Sequence, residues 1–163
     1  MHNARLGREL ILMLLVALVP LRANGQSQSL AEDLGRQNQA FITQIGEAQR
    51  AGIEEHNIRG GLLYGSIKQN GIGNNSNISL QGGDLSGSIV QNGNDNQATL
   101  EIRGHENRGV IEQYGDRNSV GLEIQGEGKD VTLIQQGNDH IYAGSIKVGG
   151  ETPAGLPISI RQY

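Results

Sequence analysis

Apolar and polar residues alternate along most of this chain, and the alternation restarts at a fixed interval. Ile67-Lys68-Gln69-Asn70-Gly71 comes back as Ile89-Val90-Gln91-Asn92-Gly93, as Ile111-Glu112-Gln113-Tyr114-Gly115 and as Leu133-Ile134-Gln135-Gln136-Gly137, with the glutamines 22 residues apart. An earlier copy, Ile42-Thr43-Gln44-Ile45-Gly46, lies 25 residues before the first of these. Period-two alternation predicts strands with one buried face. In the third copy Gly87, Ile89, Gln91 and Gly93 face one way, and Ser88, Val90 and Asn92 the other. Gly93-Asn94-Asp95 supplies a tight turn. A second strand then turns Asn96, Ala98, Leu100 and Ile102 inward and Gln97, Thr99, Glu101 and Arg103 outward, and Gly104-His105-Glu106-Asn107 feeds the next copy.

Each copy is therefore strand–turn–strand–turn, and one copy cannot bury its own inner face. Equal units of this length stack, each covering the next. The expected fold is all-β: a β-solenoid of five stacked repeats, about 38–59, 63–83, 85–105, 107–127 and 129–149, with a half repeat at 158–163. Units about 4.8 Å apart would line equivalent residues into ladders, amyloid-like cross-β on assembly. One apolar ladder is Ile42, Ile67, Ile89, Ile111 and Leu133. The facing wall holds Ile53, Ile78, Leu100 and Leu122 and, beside them, Leu80, Ile102, Ile124 and Ile146. Ser76, Ala98 and Val120 are small enough to let the two sheets approach.

Polar residues recur inward too. Gln44, Gln69, Gln91, Gln113 and Gln135 share one position, and Asn74, Asn96 and Asn118 another. A buried amide is costly unless its groups find partners. In a stack each amide donates to one neighbour and accepts from the other, so a ladder fixes register. Gly46, Gly71, Gly93, Gly115 and Gly137 mark a turn that needs positive φ or close backbone approach.

The first residues are a different object. Arg5 and Arg8 precede the apolar run Leu10–Val19, which Pro20 breaks before the small Ala23. This predicts a secretory signal peptide over 1–23, too short an apolar run for a good membrane span. A flexible polar leader over 24–37 follows. Pro153 and Pro157 make the stretch before the last strand a loop. Without the signal, ten basic residues face sixteen acidic ones, near net −6, of the thirteen and seventeen in the whole chain. That balance argues against a nucleic-acid partner. The turn charges Asp84, Asp95, Glu106, Asp116, Arg117, Asp130 and Asp139 read as gatekeepers against early self-association, or as plain solubility.

The chemistry of catalysis is thin. There is no Cys, one Phe and no Trp, and the four histidines are dispersed. No nucleophile–base arrangement, metal-ligand spacing or phosphate-binding loop stands out, so no enzyme, cofactor, metal or small-molecule substrate is expected. A parallel β-helix enzyme is the competing reading by fold, but its side groove needs longer insertions. Calcium-binding nonapeptide repeats need a different period.

The spacing Gln-x-Gly-x-x-Asn-x-small resembles the curlin repeat of bacterial curli fibres. It reads Gln69-Asn70-Gly71-Ile72-Gly73-Asn74-Asn75-Ser76, Gln91-Asn92-Gly93-Asn94-Asp95-Asn96-Gln97-Ala98 and Gln113-Tyr114-Gly115-Asp116-Arg117-Asn118-Ser119-Val120. The resemblance covers about 38–163. It implies a secreted, extracellular functional amyloid attached to the bacterial surface, serving adhesion and biofilm. Its implied partners are other curli subunits and the secretion and anchoring machinery. Departures favour the minor, nucleating subunit over the major one. Leu80, Ile102, Ile124 and Ile146 replace a second inward Gln, Gln49 and His140 replace the ladder Asn, and the fifth repeat places Tyr142 and Gly144 inward.

Overall fold

The computed structural model describes residues 12–15, 38–56, 61–150 and 157–163. Most of the expected signal segment, all of the leader, the 57–60 connection and the body of the 151–156 loop lie outside them. Among the described residues twelve strands appear in chain order: β1 (Leu12–Leu15), β2 (Gln39–Glu47), β3 (Arg50–Glu55), β4 (Leu63–Ile72), β5 (Asn75–Leu80), β6 (Leu85–Asn92), β7 (Gln97–Ile102), β8 (Arg108–Tyr114), β9 (Ser119–Ile124), β10 (Asp130–Gln136), β11 (Ile141–Val148) and β12 (Pro157–Gln162).

From β2 onward, successive strands do not pair with each other. They alternate between two parallel sheets, β2-β4-β6-β8-β10-β12 and β3-β5-β7-β9-β11, with β1 antiparallel along the free side of β2. This is a β-solenoid of five turns, closed at one end by a further strand in the first sheet alone. Its register follows the sequence period. Ile42, Ile67, Ile89, Ile111 and Leu133 pair rung by rung, and Ile160 of β12 continues the line. In the second sheet Ile53, Ile78, Leu100 and Leu122 do the same.

Between the sheets lies a narrow apolar core. Ile67, Ile89, Ile111 and Leu133 meet Ile78, Leu100, Leu122, Leu80, Ile102 and Ile124, all essentially without solvent exposure. Full burial of each such side chain stabilises the fold by roughly 1.5–3 kcal/mol. Gly87 and Gly109 keep the layer thin. A Cβ on Gly87 would lie 3.1 Å from Ile78 and 3.2 Å from Leu100, and one on Gly109 2.8 Å from Ile124 and from Leu100. Leu63 and Leu85 complete the core at the start of the first-sheet strands, a position the repeat-by-repeat reading passed over, and Val131 does so two residues further on, in line with Gly87 and Gly109.

The fifth turn departs from the period, which corrects two expectations. Ile141 pairs with Ser119, an offset of 22 residues, but Ser145 pairs with Gly121, an offset of 24. Ile146 consequently stands against Leu122, and Val148, not Ile146, continues the line of Ile102 and Ile124. Tyr142 does not point inward; it is 44% exposed, and Gly144 is exposed too. A strict 22-residue count would set Gly144 against Leu122 and leave a hole in the wall. Bulging out two extra residues brings Ile146 into that place. Gly144 has φ +129° and nothing within 4 Å of where a Cβ would stand, as suits a bulge turned to solvent.

This register makes a sharp contrast between two substitutions. Leu100→Ala is expected to lower the unfolding free energy by about 2–5 kcal/mol, and Tyr142→Ala to change it by no more than about 0.5 kcal/mol. Urea denaturation of the two variants measures both. A Tyr142→Ala loss comparable to that of Leu100→Ala would return the tyrosine to the core and refute the bulge.

Candidate functional site: the amide column and the open edges

The inward glutamines form one continuous hydrogen-bonded line. Gln44 Nε2 donates to Gln69 Oε1 (2.7 Å), Gln69 to Gln91 (2.8 Å), Gln91 to Gln113 (2.8 Å) and Gln113 to Gln135 (2.7 Å). The line runs on to Gln162 of β12, whose Oε1 accepts from Gln135 at 2.7 Å. That sixth member was missed because it falls 27 residues after Gln135. Gln69, Gln91, Gln113 and Gln135 are fully buried. Their second Nε2 hydrogens cross to the opposite wall, to the carbonyls of Arg50, Asn75 and Gln97, and for Gln135 to His140. Each glutamine thus ties its rung to the next and one sheet to the other.

The line has a direction. Each glutamine-to-glutamine bond donates from the N-terminal rung toward the C-terminal one. Unlike the backbone ladder, whose N–H and C=O groups point both ways, this column presents an acceptor at its N-terminal end, at Gln44, and an amide donor at its C-terminal end, at Gln162.

The asparagines work differently from the amide-to-amide ladder expected of them. Asn74, Asn96 and Asn118 donate from Nδ2 to the glycine carbonyls of the next rung, Gly93 (2.7 Å), Gly115 (2.7 Å) and Gly137 (2.8 Å). Their Oδ1 atoms accept the backbone N–H of Asn96, Asn118 and His140. One amide-to-amide contact, Asn96 to Asn74 at 3.1 Å, joins the pattern. A turn backbone leaves polar groups that a short amide reaches and a straight strand does not, so these residues clamp corner to corner. Gln49 makes the same bond to the Gly71 carbonyl at 2.6 Å. At the second corner Asn107 does so unheralded, donating to the Gly126 carbonyl and accepting from Lys129 N–H. It stands in line with Leu85, so the sequence shows it only as a break in an apolar position.

The glycine column explains itself by space and by dihedral. Gly46, Gly71, Gly93, Gly115 and Gly137 all have φ between +115° and +132°. A Cβ on Gly93 would stand 2.0 Å from the Gly115 carbonyl oxygen, and the same clash recurs at Gly71 and Gly115. Two residues on, Ala48, Asp95, Arg117 and Asp139 also take left-handed dihedrals, with Gly73 as the one glycine among the five. Between these positions a further column was legible at 22-residue spacing but went unread. Asn94, Asp116 and Asn138 accept at Oδ1 the backbone N–H of Ile72, Asn94 and Asp116.

The turn charges are also engaged along the stack. Asp84 accepts from Leu62 N–H, Arg108 pairs with Asp130 at 3.1 Å, and Arg117 with Asp139 at 2.6 Å. On the second sheet Lys147 and Gln125 donate to Glu123, and that partnership holds its carboxyl below the ordinary value. Arg117 does the same for Asp139. A carboxyl whose folded pKa is depressed stabilises the fold above its unfolded value and stops doing so as pH falls through the folded one.

Residues 104–137 match the family model described as the curlin associated repeat. The matched span holds β8, β9 and β10, two glutamines of the column, the Asn118 clamp and the Gly115 and Gly137 corners. No curated protein and no solved structure matches the chain. Of the residues named from the sequence, the curlin associated repeat segment brings together those of the fourth turn and of the first strand of the fifth. The same bonds recur outside it on the second and third rungs.

Replacing one rung of the column gives a direct reading of its weight. Gln91→Leu removes the donor that Gln113 Oε1 accepts and the acceptor that Gln69 Nε2 reaches. It is expected to destabilise by about 1–3 kcal/mol, while Gln97→Leu, on the exposed face, is expected to fall within about 0.5 kcal/mol of the parent. Chemical denaturation distinguishes them, and equal effects would mean the amides merely fill space. Acid titration of folded chain should also show lower stability in the parent as pH drops through the folded pKa of Glu123, and a weaker fall in Lys147→Ala.

Proposed function

We propose that this chain is a structural subunit of an extracellular, curli-type functional amyloid fibre, not an enzyme. The observation that carries the reading is the directed glutamine column: six amides in register, five amide-to-amide bonds, running the length of a parallel stack. Its support in kind is the curlin associated repeat at 104–137. A column of this sort is the architecture in which identical segments add rung upon rung, every backbone group pairing above and below. Natural proteins normally blunt exposed strand edges; in a fibre subunit the edges are the working surfaces, and an arriving chain copies their register.

Within that class the chain acts as the minor subunit, which starts fibres at the cell surface. Two features support this over the bulk fibre subunit. Leu80, Ile102 and Ile124 fill inward positions of the second sheet with apolar side chains, and the fifth turn carries a two-residue bulge that breaks the repeat before β12. The regular middle turns template the partner subunit. The 140–163 segment holds the surface machinery. Residues 1–23 direct secretion and are removed, residues 24–37 lead the chain through its export pore, and the fibres serve adhesion and biofilm. Partners are therefore other curli subunits and the export and anchoring machinery, with no nucleic acid and no small-molecule substrate.

Trace quantities of the purified secreted chain should shorten the lag of fibre growth by the bulk subunit from the same cell, read by amyloid-dye fluorescence. An unchanged lag at every ratio tested contradicts the nucleating role. Fibres that remain anchored to cells after deletion of 149–163 contradict the role given to that end.

A further inference from the structure

The second sheet ends, on its N-terminal side, with β3, and no described strand lies beyond it. Along this edge strand Arg50 and Glu54 are exposed, and Ala51 and Ile53 pack against the core. The next inward position is Glu55, which pairs with Leu80. In the turns above, the same line is Leu80, Ile102, Ile124 and Val148, buried and apolar throughout. The carboxylate therefore opens a column that is otherwise hydrocarbon.

Among the described residues nothing binds it: Glu55 Oε1 is shielded from solvent and has no hydrogen-bond partner there. The paired strand β5 offers Asn75, Ser76, Asn77, Ile78, Ser79 and Leu80, none of them ionisable. The charged groups of the other elements packed nearby, Glu47 on β2 and Lys68 on β4, are on exposed positions, as are Arg50, Glu54 and His56 beside it in the chain. Partial burial alone pushes the Glu55 carboxyl above its ordinary value.

Every turn already in the column sets its successor directly over the same register. A further rung laid on β3 in that register covers Glu55 completely. If the covering side chain is apolar, an ionised carboxylate is sealed without a partner, which is among the most unfavourable burials a protein makes. If it carries an amide or a cation, the carboxylate gains a charge-assisted hydrogen bond instead. An inward-pointing charge is also a known device for keeping an edge strand from pairing indiscriminately.

We infer that Glu55 makes the free edge of β3 a selective docking surface, which admits a parallel strand–turn–strand rung bearing a hydrogen-bond donor over the carboxylate and rejects an apolar one while Glu55 is ionised. Resting on the fibre reading, this deepens it: the N-terminal face takes a partner rung whose second strand carries an inward amide, unlike this chain's own. In the secreted chain the loss of residues 1–23 takes away β1, which lies along β2 beside Gln44, and the Gln44 amide at the same end then asks for a donor too, since its column donates away from that face. Protonation of Glu55 removes the selection. Its folded pKa is raised, so the barrier to apolar rungs stands above that pKa and disappears as pH falls through it.

Peptides spanning residues 86–107 serve as the probe, in the natural form, which would place Ile102 over Glu55, and as I102Q. Their affinity for the folded secreted chain is read by fluorescence anisotropy at pH 7 and at pH 4, with the docking strand located by cross-linking and mass spectrometry. At pH 7 the I102Q peptide is expected to bind about tenfold more tightly, equivalent to about 1.4 kcal/mol. The ratio falls toward one at pH 4 and in E55Q, and reverses in E55L, while E54Q keeps the parent ratio. Circular dichroism confirms that E55Q and E55L retain the strand signal. A ratio near one in the parent at pH 7, or a pH effect that survives in E55L, overturns the inference. In either case binding of both peptides at the β3 edge leaves the fibre reading standing; failure of both peptides to bind any form at any pH overturns the inference and removes support for templating edges as well.

Discussion

The constraint on which the structure depends is the register of parallel strands that never neighbour one another in sequence. A period-two strand that slips by one residue turns its whole buried set outward. Here slippage has a second penalty, because it breaks a line of buried amides as well. The glutamine column allows one alignment: each Nε2 finds an Oε1 one rung on and a carbonyl on the opposite wall. Apolar ladders alone tolerate shifts by two, since Ile and Leu exchange at little cost. The amides, the corner asparagines and the clash-bound glycines do not.

Much of this was legible because it repeats. The line through Ile67, Ile89 and Ile111, the glutamines, and the glycines with positive φ all follow from a 22-residue count. The rest escaped where the count stops describing the backbone. Ile146 was assigned to the wrong neighbour because two residues of the fifth turn bulge out. Gln162 was left out because the connection before it is longer. The asparagines were placed correctly but given the wrong bonds, since spacing says which residues stack and not whether an amide meets its counterpart or the corner backbone. Asn107 carried no repeat signal at all, replacing Leu85 and itself replaced by Lys129 one turn later.

The column is also asymmetric in chemistry, which a repeat seen as letters conceals. Its glutamine bonds all run one way, and one inward line of its second wall begins with a carboxylate and continues in hydrocarbon. Two ends built from the same unit are thus unlike surfaces. An open, head-to-tail assembly needs such a difference to grow with a defined polarity. The match to the curlin associated repeat covers the fourth turn and the first strand of the fifth; what distinguishes this chain lies in its first turn and in the bulged second strand of the fifth.

The chain has no cysteine, so engineered cross-links test the stack without interference. In V90C/E112C the two thiols stand on the outward face of β6 and β8, paired one rung apart. That spacing suits a disulfide, and the doubly substituted chain is expected to oxidise within one molecule under native conditions. If V90C/Y114C, displaced by two residues on the same face, closes as readily, the strands are not held in the register that the amide column requires.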